Sequence, residues 1–147
     1  MSEFLTQNEP DLYQCVLEEL GYVSTPDPKL VNSTLEVIAH SLVRQSEPFS
    51  EEDGEFATIL IGAIFSSDRR GLSGTDKLVS WLVTKVNELS SEKVSIRKLD
   101  RDEARAMMSY GLKSGSALYL EMTRDDQKPL LIEISDTLPP VKIIEVK

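Results

Sequence analysis

Hydrophobic residues recur at helical spacing through the first 89 positions of the chain and at alternate positions through most of the remainder. Leu12, Tyr13, Val16, Leu17 and Leu20 form one stripe. It predicts a helix over 10–20, with Asn8 or Glu9 at the cap, Pro10 at the tolerated first position and Gly21 just past the end. Two prolines within 24–29 interrupt the pattern. Asp27 then caps a second helix that starts at Pro28 and runs to about Arg44, with Val31, Leu35, Ile38 and Leu42 on one face.

A third helix is predicted from Glu51 to about Phe65. Ser50 to Asp53 resembles a capping box with three acids in the first turn, where the helix dipole favours negative charge. Phe56, Ile59, Leu60, Ile61, Ile64 and Phe65 go almost all the way round this helix, as expected of one in the middle of a bundle or beneath a partner. Gly54 and Gly62 each cost it roughly 1 kcal/mol relative to Ala, and close backbone packing at Gly62 is the expected compensation. After a loop of Ser, Arg and Gly over 66–74, a fourth helix starts at Thr75 or Asp76 and runs to about Leu89. Leu78, Leu82, Val86 and Leu89 form its stripe, and Trp81 lies beside it as an anchor to another element.

Ser90, Ser91 and Glu92 are the hinge at which the period changes from helical to two. Val94 and Ile96 alternate with Ser95 and Arg97 over 93–99, which predicts a strand. Asp100 to Glu103 opens a short helix, with a box-like Asp and Glu spacing, that closes near Gly111. Strands follow over 117–123 and 130–135, with Leu118, Leu120 and Met122 on one and Leu130, Ile132 and Ile134 on the other. The polar turn Arg124 to Lys128 joins them as a hairpin. Pro139 and Pro140 precede a last strand, 141–146, expected at a sheet edge. The pattern predicts an α+β fold, an N-terminal four-helix layer packed with a small, mainly antiparallel sheet of order β-α-β-β-β. The acidic helical region 1–91 and the region 92–147 should form one compact unit.

Charge sharpens this division. Residues 1–91 carry 15 acids and 6 bases, whereas residues 92–147 carry 10 of each, so the whole net charge of −9 lies in the helical half. That balance argues against direct binding to nucleic acid or anionic lipid and points instead to a protein partner of basic character. Asp27 and Glu51 to Asp53 serve helix starts. The acids left for such a partner are Glu3, Glu9, Asp11, Glu18, Glu19, Glu36, Glu47, Glu55 and Glu88. At 147 residues the chain can bury about two-thirds of its unfolded surface, so it needs no staples. One cysteine excludes an internal disulfide, and Cys15 with His40 cannot form a structural zinc set, so no cofactor is expected. The first ten residues show neither the basic nor the apolar region of a secretory signal. The longest apolar run, Ile59 to Phe65, is too short to span a bilayer. A soluble, cytoplasmic protein is therefore expected.

Three segments carry candidate chemistry. The first is the loop over 66–77. Arg69, Arg70, Gly71, Gly74 and Lys77 precede or open a helix N-terminus, an arrangement that receives a small anion or phosphate ligand. Its competing reading is a surface loop whose arginines pair with acids of the same half and whose Ser73 or Thr75 caps the next helix. The pattern G-x-x-x-x-G-K-S/T is absent. The second, Tyr110 to Ser116, contains Gly, Lys and Ser but follows a helix and precedes a strand, the reverse of a phosphate loop. Third, Asp136, Glu145 and Lys147 resemble the Asp and Glu-x-Lys positions of one large group of metal-dependent nucleases. There two carboxylates on neighbouring strands hold a divalent ion and the Lys steadies the attacking water. The resemblance covers only these strand-end positions and lacks the helix that follows the Lys, and alternation on an edge strand yields Glu-x-Lys by itself.

Single residues add little. Glu18 and Glu19 beside Cys15 would raise its thiol pKa, which argues for a structural cysteine. His40 reads as a partly buried structural histidine, and Met107 and Met108 as residues that close the core over the sheet. The sequence supports a non-enzymatic interaction or regulatory module that presents an acidic helical surface. The alternative is a small-anion-binding domain or a metal-dependent, nuclease-like hydrolytic one.

Overall fold

The computed structural model describes residues 11–21, 27–44, 51–107, 117–125 and 127–145, with residues 51–53 and 145 described by their backbone alone. Four helices come first: α1 (Leu12–Gly21), α2 (Pro28–Arg44), α3 (Glu51–Arg69) and α4 (Gly74–Leu89). Strand β1 (Val94–Leu99), a short helix α5 (Arg101–Met107) and strands β2 (Ala117–Arg124), β3 (Leu130–Ser135) and β4 (Val141–Glu145) follow. The strands form one antiparallel sheet in the order β1-β2-β3-β4, with Leu118 opposite Ile134 and Ile132 opposite Ile143. The fold is α+β, and β4 lies at an edge as its prolines predicted.

The helix starts follow local chemistry. The Lys29 N–H donates to Asp27 Oδ1 at 3.0 Å, so Asp27 caps α2 with Pro28 as its first residue. At α1 the cap is Asp11, later in the chain than the expected Asn8 or Glu9. Its Oδ1 accepts the Gln14 N–H at 2.8 Å, while Gln14 Oε1 accepts the Asp11 N–H at 3.2 Å. This reciprocal box satisfies two amide donors that a helix start leaves without partners. Residues 8–10, where the cap was expected, lie outside the described residues.

Two helices differ from the reading of the stripes. The buried positions of α1 are Leu12, Cys15, Val16, Glu19 and Leu20, so the inward face is turned toward Cys15 and Glu19, and Tyr13 and Leu17 are half-buried. The rotation is possible because Glu19 finds Arg70 of the α3–α4 turn at 3.3 Å. Helix α3 runs four residues beyond Phe65, to Arg69. Ser67, a weak helix former, is held there by packing and by its hydroxyl, which donates to the Ile64 carbonyl at 2.6 Å.

One apolar cluster joins the two halves of the chain. Leu12, Val16, Leu35, Ile38, Leu60, Ile64, Leu82 and Val86 of the helices meet Val94, Ile96, Leu120, Met122, Ile132 and Val141 of the sheet. Each fully buried Leu or Ile contributes about 1.5–3 kcal/mol relative to exposure. The hinge after α4 is clamped as well. Asn87 Nδ2 donates to the Val94 carbonyl at 2.9 Å and Asn87 Oδ1 accepts the Val94 N–H at 2.8 Å. A helix side chain thus pairs both backbone groups of the first residue of edge strand β1 and blunts that edge.

The far face of the sheet is also covered. Leu99, Tyr119, Leu131 and Ile144 form a second cluster with Ala104 of α5, and Met107 packs against it. Every residue of β3 is therefore buried, including Glu133, whose Oε2 accepts the Tyr119 hydroxyl proton at 3.0 Å. A strand with one apolar face was expected there. The second face is covered because Leu131 joins the cluster that includes Ala104 of α5.

Candidate functional site

Asp68, Gly71 and Gly74 determine how α3 passes into α4. The Leu72 N–H donates to the Ser67 carbonyl at 2.9 Å and the Gly71 N–H to the Asp68 carbonyl at 3.0 Å. These two bonds close α3 on a left-handed residue, which Gly71 supplies with φ 79°. Ser73, also left-handed at φ 56°, opens α4 without a side-chain cap bond of its own. The cap comes from Asp68 instead. Its Oδ1 accepts the Thr75 N–H at 3.0 Å and its Oδ2 accepts the Thr75 hydroxyl proton at 2.6 Å. The N-terminus of α4 thereby holds an anion already, and that anion belongs to the chain.

The five residues considered for an anion separate around this turn. The Arg69 guanidinium donates to Ser66 Oγ at 3.0 Å. Arg70 reaches α1, with Glu18 at 3.6 Å and Glu19 at 3.3 Å. Gly74 is buried against α3, where a Cβ would come within 2.7 Å of the Ile64 carbonyl oxygen and overlap Ser67 Oγ. Gly71 and Lys77 remain at a surface opening. Lys77 Nζ donates to the Leu72 carbonyl at 2.6 Å and lies 3.7 Å from Cys15 Sγ. Burial pushes the Cys15 thiol above its ordinary value of 9.0, with the Lys77 ammonium pulling it the other way.

That opening is a cleft of about 680 Å³ between the start of α1 and the first half of α4. Leu12, Tyr13, Leu72 and Trp81 give it apolar walls, and Asp11, Asp76, Ser73 and Ser80 are exposed along it. Tyr13 and Trp81 meet edge to face, with ring centroids 6.3 Å apart and planes at 88°. Lys85, which does not line the cleft, lies 5.9 Å from the Trp81 ring centroid and bonds Glu36 at 2.8 Å, so its ammonium is held above its usual pKa chiefly by that carboxylate. Trp81, beside the α4 stripe, anchors that helix to Tyr13 of α1. Asp11 was visible as the first residue of an Asp-x-x-Gln box, but the neighbouring Pro10 is the louder helix-start signal.

The acids kept for a partner are mostly engaged at home. Asp11 caps α1, Glu18 and Glu19 face Arg70, and Glu36 and Glu88 share Lys85 at 2.8 Å and 3.8 Å. Glu55 is exposed on α3, and Glu3, Glu9 and Glu47 lie outside the described residues. Asp76, expected only as a helix start, is exposed at the cleft and paired with Lys98 at 3.5 Å.

The nuclease-like positions are not brought together. In the β3–β4 pair Glu145 lies opposite Leu130, while Asp136 follows the far end of β3. Six residues of strand, roughly 20 Å, separate the two levels, and Asp136 Cβ would contact a methyl placed on Gly62 of α3 at 3.7 Å. Lys147 and the segment Tyr110 to Ser116 lie outside the described residues, as does Met108. His40 is half-buried late in α2. Among the described residues no group of His, Cys, Asp and Glu could hold a metal ion, and no helix is long and apolar enough to cross a membrane.

No protein-family model, curated protein or solved structure matches this chain.

Proposed function

We propose that this chain is a non-enzymatic interaction or regulatory module that receives a segment of a protein partner on its acidic helical half, in the α1–α4 cleft. The observation that carries the reading is the placement of Tyr13 and Trp81 as half-buried walls of an open cleft with the exposed carboxylates of Asp11 and Asp76 along it. Aromatic residues with a polar surround are the usual centres of binding energy, and complementary charge at the margin supplies orientation and on-rate. The acidic surface of this reading is thus narrower than the net charge of −9 suggests. A cytoplasmic location goes with it. The test is capture from native lysate at micromolar bait, comparing wild type with Trp81→Ser, with circular dichroism to establish that both are folded. A retained partner that Trp81→Ser loses, and that elutes with salt, is expected. A partner held equally by both would move the contact elsewhere on the surface.

The small-anion alternative keeps Gly71 and Lys77 in the same cleft. Against it stands the Asp68 carboxylate at the α4 N-terminus, which would repel an incoming phosphate at the place where the helix would otherwise attract one.

A further inference from the structure

We infer that the occupant of the cleft is an arginine side chain presented by an extended segment of the partner, an inference that rests on the cleft being the recognition site. The order in which an entering group meets charge decides its sign. Asp11 uses Oδ1 on the Gln14 N–H, and its other oxygen has no partner among the described residues. Asp76 has a side chain 70% exposed and a single ion-pair partner, Lys98 at 3.5 Å, itself 47% exposed. Such an exposed pair is weak and exchanges readily for a better-placed cation. The bases nearby are committed elsewhere. Lys77 directs its ammonium at the Leu72 carbonyl and the buried Cys15 thiol, and Lys85 is bound to Glu36 outside the cleft. A group arriving from solvent therefore meets the Asp11 carboxylate and the Asp76–Lys98 pair, and a cation that binds Asp76 displaces Lys98 from it.

The walls narrow the chemistry further. Leu72, Tyr13 and Trp81 offer apolar and aromatic surface to the methylene stem of a long side chain whose charged head stays at the carboxylates. A guanidinium suits this surface better than an ammonium. It is planar, weakly hydrated, stacks on aromatic rings and donates two parallel bonds to one carboxylate. At about 680 Å³ the cleft has room for residues flanking that side chain, which favours a peptide segment over free arginine.

Trp81 is the one tryptophan of the chain, so its fluorescence reports on the cleft without a label. The capped peptide acetyl-Leu-Arg-Arg-Leu-amide is titrated against the same peptide with citrulline, a neutral isostere, in place of arginine, and against inorganic phosphate, with calorimetry in parallel. A saturable change with the arginine peptide is expected, with affinity roughly tenfold lower for the citrulline peptide because charge-assisted bonds are about twice as strong as neutral ones. Asp11→Asn and Asp76→Asn should each weaken the arginine peptide while leaving the fold intact, since Asn caps a helix as well as Asp does and Asp76 is exposed. Equal affinity for the two peptides, or no effect of either Asn variant, overturns the arginine inference and leaves the cleft as a site for a neutral segment. Saturation by phosphate with no response to the arginine peptide overturns it in favour of an anion. Silence toward every probe, in fluorescence and calorimetry alike, overturns both the inference and the reading of the cleft.

Discussion

The α3–α4 corner and the cleft beside it are built on the same first turn of α4, yet they handle polar groups in opposite ways. At the corner, Asp68 spends both oxygens on Thr75, Ser67 bonds back to Ile64, and Gly74 lets the two backbones touch. One residue beyond Thr75, Asp76 stands exposed at the cleft with a single loose partner. At the corner Gly71 serves helix termination, Gly74 serves close packing, and Arg70 pairs with Glu18 and Glu19 of α1. Asp76 at the cleft is a polar group with no capping bond of its own, and the proposed recognition rests on it and on the second oxygen of Asp11.

The sharpest way to break this contrast is at Gly74, expected in the loop and found as the first residue of α4, and Gly62 within α3. A methyl on Gly74 would sit 2.7 Å from the Ile64 carbonyl oxygen, a backbone atom that cannot turn aside. Gly74→Ala should therefore lose about 2 kcal/mol, within the range for overpacking, read from the urea midpoint at constant slope. Adding Ser67→Ala should recover only part of this, because the carbonyl stays. The same methyl on Gly62 meets nothing nearer than 3.7 Å, an ordinary contact with Asp136 Cβ. Gly62→Ala should gain up to about 1 kcal/mol from helix propensity. The expectation of close packing at Gly62 is thereby replaced by room for a side chain. Equal losses in both variants would mean that α3 sits closer to the sheet and less close to α4 than described.

Asp68 and Asp76 sharpen the comparison at the level of charge. Asp68→Ala removes the cap of α4 and should cost about 1 kcal/mol in the same measurement. Asp76→Asn loosens an exposed pair and should stay within about 0.5 kcal/mol of wild type. If Asp76→Asn were the more destabilising of the two, its carboxylate would be part of the fold, and the case for a carboxylate held ready for a partner would fall with it.

Local signals made some of this legible and not the rest. Asp27 with Pro28, the alternation in β1, and the polar turn between β2 and β3 act within a few residues, and each element formed where they indicated. The exceptions all depend on residues distant in sequence. Glu19 can face inward because Arg70 arrives from the α3–α4 turn, and α4 is capped from seven residues back by Asp68 and not by Ser73 or Thr75. α3 outruns its propensity because its last turn is wedged against Gly74. The cleft was half visible. Trp81 beside its stripe and the Asp11-x-x-Gln14 box are sequence signals, but that they face each other follows only from α1 packing across α4.

The far side of the sheet repeats the corner's arrangement in an exposed setting, and there the expected effect is smallest. Arg97 bonds Glu103 of α5 at 2.9 Å and Glu121 of β2 at 2.7 Å, while Glu103 and Asp100 cap each other's N–H groups across the start of α5. The Arg97 guanidinium, and after it the Asp100 backbone N–H, hold the Glu103 carboxyl below its ordinary value of 4.5. A carboxyl depressed in the folded state stabilises the fold above its unfolded pKa, and that contribution is lost as pH falls through the folded one. The difference in urea midpoint between wild type and Glu103→Gln should therefore be largest at neutral pH and shrink below 4.5. Salt should reduce it too, because Arg97 and Glu103, the pair that Glu103→Gln removes, are both exposed to solvent screening. A difference that stayed constant from neutral to acid pH would assign the cost to the lost cap at Asp100 and not to the ion pair. The charge of Glu103 would then be as little required by the fold as that of Asp76 at the cleft.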